Sequence, residues 1–219
     1  MTLDELEILE RTTFEMVVQA ITDYVQESVV IFREERDMPG DIAQDVMREA
    51  PEEMGLPGIR ERLYGKVDYK KAIYVFLPHP QPVALMLDAK AEKGNSSATI
   101  QMSQTSMHIR FLDNRGEIVN EHGRLSSTMI RNNREFQVVT IIAKYVYEDR
   151  SDGGYNLIKI IMSCIPNGKL QEHYNPSPDL TIWAAGRHSS KHGEDFRVRL
   201  NFNKLQAMAS WRVRYLEFV

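Results

Sequence analysis

At 219 residues with 42% hydrophobic side chains, the chain can bury one sizeable core and is too apolar to be a disordered polypeptide. Its formal net charge of −4 argues against indiscriminate binding to polyanions, and no apolar run approaches the roughly 20 residues of a membrane helix. The single cysteine, Cys164 in the run IKIIMSCI, excludes an intrachain disulfide and reads as a buried thiol in a reducing compartment.

The amino-terminal stretch MTLDELEILE is acidic and amphipathic, unlike a signal peptide, so a soluble cytoplasmic protein is expected. Charge is graded along the chain. Residues 1–62 carry 16 acids against 6 bases, residues 63–182 carry 12 against 14, and residues 183–219 carry 3 against 7. A polyanionic partner is therefore expected to meet the middle and the carboxy-terminal part.

Leu6, Leu9, Phe14, Val17, Val18, Ile21, Tyr24, Val25, Val29 and Phe32 recur at intervals of three and four, which predicts one long amphipathic helix over the first thirty residues. Thr2 followed by Glu5 reads as a capping box at its start. A second helix is expected near DMPGD, capped by Asp37, with Ile42, Val46 and Met47 inward and its end before Pro51. From residue 67 the period changes to two. VDYKKAIYVFL and VALMLDAKA predict strands joined through PHPQP. EFQVVTIIAKYVYED and YNLIKIIMSCI flank RSDGG, a hairpin signal. TIWAAG, FRVRLNF and WRVRYLEF add short strands, with a helix at NKLQAMAS. Helices first and strands afterwards give an α/β (α+β) class around one central sheet. We expect one domain over 1–219, with a helical part at 1–62 and the sheet at 63–219.

Residues two apart on a strand share a face, so Asp88 and Lys90 project together while Leu85 and Leu87 point the other way. Alone, an acid and a lysine so spaced are most simply a surface ion pair. Asp68 changes the balance. If the strands around 67–77 and 83–91 are antiparallel neighbours, Asp68 and Asp88 converge, and two converging carboxylates need a cation between them. Oxygen ligands favour a hard divalent ion such as Mg2+, with the carbonyl of Ala89 as a further ligand. Lys90 beside that ion would orient an attacking water or offset charge on a phosphoryl transition state.

An acid about twenty residues before D-x-K on paired strands resembles the PD-(D/E)xK nuclease superfamily. VDYKKAIYVFLPHPQPVALMLDAKAEK, HYNPSPDLTIWAAGRHSSKHGEDFRVRLNF and the opening LDELE helix narrow the resemblance to type II restriction endonucleases of the SfiI family, and more distantly to BglI. The resemblance implies a restriction-endonuclease-like fold, a central mixed β-sheet flanked by helices. It implies Asp68, Asp88 and Lys90 as catalytic residues, with Val67 in place of the proline. It also implies Mg2+, a homodimer or homotetramer on double-stranded DNA, 5'-phosphate products, and a palindromic G·C-rich target with an unspecified interior.

Arginine forks match the O6 and N7 acceptors of guanine in the major groove. FRVRL places Arg197 and Arg199 on one strand face, opposite Phe196, Val198 and Leu200, and Gly186 and Gly193 bracket a basic loop carrying Arg187, Ser189 and Lys191. With Ser97, these are the expected DNA contacts. His188 and His192 lie four apart, but the SSK between them reads as a loop rather than a zinc-binding helix. Two other readings share the same residues: a structure-selective repair or recombination nuclease, and a non-catalytic DNA-binding protein in which Asp88 and Lys90 are a surface pair.

Overall fold

The computed structural model describes residues 1–55, 62–64, 71–75, 81–94, 98–102, 105–113, 115–185 and 198–218, with backbone only at 62–64, 71–75, 101–102, 131 and 185. Three helices come first: α1 (Leu3–Asp23), α2 (Val25–Glu34) and α3 (Pro39–Glu53). The strands β1 (Arg62–Tyr64), β2 (Lys71–Val75), β3 (Val83–Lys93), β4 (Thr99–Met102), β5 (Ile109–Leu112), β6 (Ile118–Glu121), β7 (Thr128–Arg131), β8 (Arg134–Asp149) and β9 (Tyr155–Ile165) follow. A short helix α4 (Gln171–Tyr174), β10 (Trp183–Ala185), β11 (Val198–Asn201), α5 (Phe202–Met208) and β12 (Val213–Glu217) close the chain.

The capping box at Thr2 and Glu5 is present in both directions. The single long helix expected over the first thirty residues is instead two, joined at Tyr24 (φ −89°, ψ 10°). The Thr22 hydroxyl bonds back to the Val18 carbonyl just before this junction, a contact that bends helices, and the Tyr24 hydroxyl donates to Glu49 of α3. Two further expectations for the second helix are corrected. Its cap is Met38, not Asp37, because Pro39 takes the first helical position, where a missing N–H costs nothing. The helix also runs past Pro51 to Glu53, and Pro51 is buried within its last turn.

The main sheet has the order β1-β2-β3-β8-β9-β12, with β7 also paired to β8. Only β3 and β8 run parallel, Val83–Lys93 against Gln137–Tyr147, and every other pair is antiparallel, so the sheet is mixed as expected. A parallel pair requires a long crossover. The crossover from β3 to β8 carries β4 to β7. β4 leaves the main sheet to join β11 and β10 in a three-stranded sheet, and β5 and β6 form a hairpin of their own. The RSDGG turn joins β8 to β9, with Gly153 at φ 87°.

The pleat of β3 and β8 sends alternate residues to two cores. Leu85, Leu87, Ala89, Val139, Ile141, Ala143 and Tyr145 pack under α1, α2 and α3 with Leu9, Phe14, Val17, Phe32, Val46 and Met47. On the opposite face Ile142 and Ile161 pack against Ile100, Trp183, Val198, Leu200, Phe202 and Leu205, which brings the three-stranded sheet and α5 onto the main sheet.

Candidate active site

β3 is buried from Val83 to Ala89 and emerges at Lys90. Leu85 and Leu87 face the helices, so Asp88, Lys90 and Glu92 share the other face, as the alternation predicts. Asp88 is 6% exposed, and Lys90 Nζ lies 3.5 Å from its Oδ1 with the lysine side chain half in solvent. An aspartate so deep is costly unless its oxygens are satisfied. Gln44, half-buried on α3, donates from Nε2 to Asp88 Oδ1 at 3.1 Å and to the Ala89 carbonyl at 2.7 Å. The register of β2 on β3 runs from Val75 opposite Val83 to Ala72 opposite Met86. Gln44 thus ties α3 to β3 at Asp88 and Ala89.

Two residues further along, Glu92 joins the strands of both sheets. Lys144, opposite Lys90 in the β3–β8 register, is buried with its ammonium paired to Glu92 Oε2 and donating to the Thr99 carbonyl at 3.0 Å. Burial pushes the Lys144 ammonium below the ordinary lysine value, and the Glu92 carboxylate works against that shift. Arg199 on β11 donates from Nε to Thr99 Oγ1 at 2.6 Å and from Nη2 to the Thr99 carbonyl at 3.3 Å, with Nη2 4.0 Å from Glu92. The strand that carries Arg199 is thus fastened to the strand that carries Asp88 and Lys90.

Of the residues expected from sequence, Asp88, Ala89 and Lys90 come together at one point, and Arg199 lies on the sheet next to it. Val198 and Leu200 are buried on the opposite side of β11, as expected. Asp68, Ser97, Arg187, Ser189, Lys191 and Arg197 lie outside the described residues, as do His188 and His192. Sequence reasoning missed Gln44, Glu92 and Lys144. Lys144 did leave a signal: a lysine midway along the apolar run VVTIIAKYV needs a buried counter-charge. Cys164 is buried as expected, and burial pushes its thiol well above the ordinary range.

The family model of the type II restriction enzyme SfiI matches residues 26–216. Over 232 aligned residues the chain is 33% identical to the type II restriction enzyme SfiI of Streptomyces fimbriatus, covering 100% of this chain and 86% of that protein. The crystal structure of tetrameric restriction endonuclease SfiI bound to cognate DNA superposes with a TM-score of 0.87 at 28% identity, over 100% of this chain and 87% of that one. Restriction endonuclease BglI bound to its DNA recognition sequence superposes with a TM-score of 0.76 over 97% of this chain and 90% of that one; at 16% identity the likeness is one of fold.

Proposed function

The chain belongs to the family of the type II restriction enzyme SfiI and is a site-specific deoxyribonuclease, and from that premise we propose a Mg2+-dependent cleavage of double-stranded DNA at a palindromic, interrupted, G·C-rich site, leaving 5'-phosphates. The observation that carries the reading is the pair Asp88 and Lys90, side by side on a strand whose buried apolar face holds both in place. The reading adds Asp68 as the second carboxylate.

The donors suit the proposed ion. Asp88 Oδ1 and the Ala89 carbonyl converge on a single nitrogen, that of Gln44, and both are hard oxygen donors. Asp68, Asp88 and Ala89 would hold Mg2+, which when bound neutralises phosphate charge and acidifies a water. The chain's own part is positional. Lys90 holds the attacking water by hydrogen bonding from Nζ and offsets negative charge as it builds on the phosphoryl oxygens. The water oxygen bonds to phosphorus and releases a proton to solvent, the bond to the 3'-oxygen breaks, and the leaving oxygen takes a proton from solvent. Asp88, fixed by burial and by Gln44, keeps its oxygen aimed at the reacting centre without the entropy loss of an exposed side chain.

For recognition, Arg187, Ser189, Lys191, Arg197, Arg199 and Ser97 form the DNA-contacting set. The anchoring of Arg199 through Thr99 and Glu92 supports this reading, because a contact made by β11 is transmitted to β3 two residues from Lys90. SfiI in its crystal structure is a tetramer on DNA, and the same arrangement, two homodimers forming a homotetramer, is proposed for this chain, acting on DNA in the cytoplasm.

The test is digestion of a large sequenced DNA with Mg2+, with Ca2+ and with EDTA, beside Asp88→Ala. Discrete fragments with Mg2+ alone, absent for the variant and ending in 5'-phosphates at a common interrupted palindrome, are expected. A smear, or fragments that persist in Asp88→Ala, would overturn the assignment.

A further inference from the structure

One side-chain amide at the cleavage site holds both oxygens that the proposed cation would need. The Gln44 amide nitrogen carries two hydrogens, and both are used, one on Asp88 Oδ1 at 3.1 Å and one on the Ala89 carbonyl at 2.7 Å. The orientation of the amide is fixed by chemistry: both partners only accept, so nitrogen and not oxygen must face them. The two acceptors converge where Asp88 is 6% exposed, and Lys90 Nζ also stands 3.5 Å from Asp88 Oδ1, so the amide sets the direction of the two oxygens without being the carboxylate's sole partner. A donor bridging two converging oxygens occupies the position that a small cation takes when it binds the same pair.

We propose that Gln44 is a positioning residue of the cleavage site: its amide presets Asp88 and the Ala89 carbonyl in the cation-free protein and gives way to the cation, turning Oε1 toward it or its water shell. Glutamine suits both states because donor and acceptor sit on one planar group, exchanged by a single torsion. α3 can deliver it because Ala43, Val46 and Met47 bury that helix against the sheet, which sets the half-buried Gln44 amide against β3 at Asp88 and Ala89. The role rests on reading Asp88 and Ala89 as cation ligands. It predicts behaviour opposite to that of a simple helix-to-sheet tie: removing the amide weakens cation binding more than it weakens the fold.

The experiment is Mn2+ titration of the DNA-free protein, followed by the loss of the electron-paramagnetic signal of free Mn2+, on the wild type, Asp88→Ala, Gln44→Leu and Gln44→Glu, with thermal unfolding of each in EDTA. Partners that orient metal ligands are worth roughly tenfold to a hundredfold in affinity. Gln44→Leu is expected to bind Mn2+ weaker by about that factor, with an unfolding midpoint in EDTA close to the wild type. Gln44→Glu, which places a carboxylate where the amide oxygen turns, is expected to bind at least as tightly as the wild type. Gln44→Leu with wild-type affinity, while Asp88→Ala loses binding, overturns the role of Gln44 and leaves the metal reading intact. A wild type without Asp88-dependent Mn2+ binding overturns both. Should Gln44→Leu fail to fold, Gln44→Glu decides alone, and weaker binding than the wild type overturns the proposal.

Discussion

Replacing Arg212 with methionine should be among the most damaging single changes outside the cleavage site. The Arg212 side chain is fully buried, with Nη2 2.6 Å from Glu10 Oε2 and 3.0 Å from Glu7 Oε1, and its guanidinium lies over the rings of Tyr174 and Trp211. Glu10 is also fully buried, and its other oxygen accepts the Asn167 N–H at 2.7 Å. Burial works against the charge on Arg212, but Glu10, Cys164 and Tyr174 together outweigh it and hold the guanidinium well above its ordinary value. Without Arg212, Glu10 has two options. It can stay ionised in the core, which costs about 3–5 kcal/mol. Or it can take up a proton, which from an ordinary value of 4.5 costs about 1.4 kcal/mol per pH unit, or about 4 kcal/mol at about pH 7.5. Both routes give a loss of about 3–5 kcal/mol near neutrality. Protonation sets the pH dependence. In the variant, burial raises Glu10 without an opposing cation, so the protonated form is the stable one and the penalty grows as pH rises above the unfolded value. Urea unfolding at about pH 7.5 and about pH 5 should therefore show a smaller deficit at the lower pH. Adding Glu10→Gln to Arg212→Met should recover much of the loss at about pH 7.5. A deficit below about 1 kcal/mol at about pH 7.5, or one that does not change with pH, would refute the reasoning.

The turn between β8 and β9 gives a steric test. A Cβ on Gly154 would stand 2.1 Å from the carbonyl oxygen of Arg33 at the end of α2, so Gly154→Ala should cost about 1–3 kcal/mol and lower the thermal midpoint by several degrees; a midpoint within a degree of the wild type would show that the turn and α2 can separate cheaply. On the β5–β6 hairpin, His108 Nε2 and His122 Nδ1 are 2.7 Å apart. Partial burial, then His122 and Arg110, depress His108 below its ordinary value of 6.5. A base depressed in this way contributes stability above 6.5 that is lost as pH falls through its folded value. Histidine ring resonances followed by NMR should place the His108 midpoint below 6.5, and a midpoint at or above 6.5 would contradict the pairing.

Where a pattern was local, the sequence was sufficient. The capping box involves residues three apart, the β8–β9 hairpin is specified by one glycine-bearing turn, and the alternation of LMLDAK alone puts Asp88 and Lys90 on the face opposite Leu85 and Leu87. The junction at Tyr24 was not legible, because the apolar stripe continues through it: Val25, Val29 and Phe32 keep helical spacing, and only the side-chain bond of Thr22 to Val18 and the hold of Glu49 on Tyr24 break the rod. β4 to β7 were equally hidden. They are four residues each: β5–β6 and β7–β8 are local pairs too short to show a period, and β4 finds its partner β11 about a hundred residues later. Four-residue strands carry little period of their own, and a distant partner leaves no turn signal beside them.

Three residues that reading passed over, Glu10, Lys144 and Gln44, share one physical feature: each is a polar side chain on an otherwise apolar surface. Glu10 sits on the inward stripe of α1 between Leu6 and Phe14, Lys144 lies midway along a strand whose neighbours are buried, and Gln44 falls between the buried Ala43 and Val46. A buried polar group is tolerated only when a partner satisfies it, so such a residue signals a contact even when the sequence cannot name the partner. Here those partners are Arg212, 202 positions away, Glu92 on β3, and Asp88 with the Ala89 carbonyl, 44 and 45 positions away. Two of the three contacts end on β3 within four residues of each other. These side-chain ties add to the β8 ladder, which pairs β3 from Val83 to Lys93, in fixing the strand that carries Asp88 and Lys90. Polar interruptions on apolar faces therefore mark buried contacts, two of which hold the strand that carries Asp88 and Lys90.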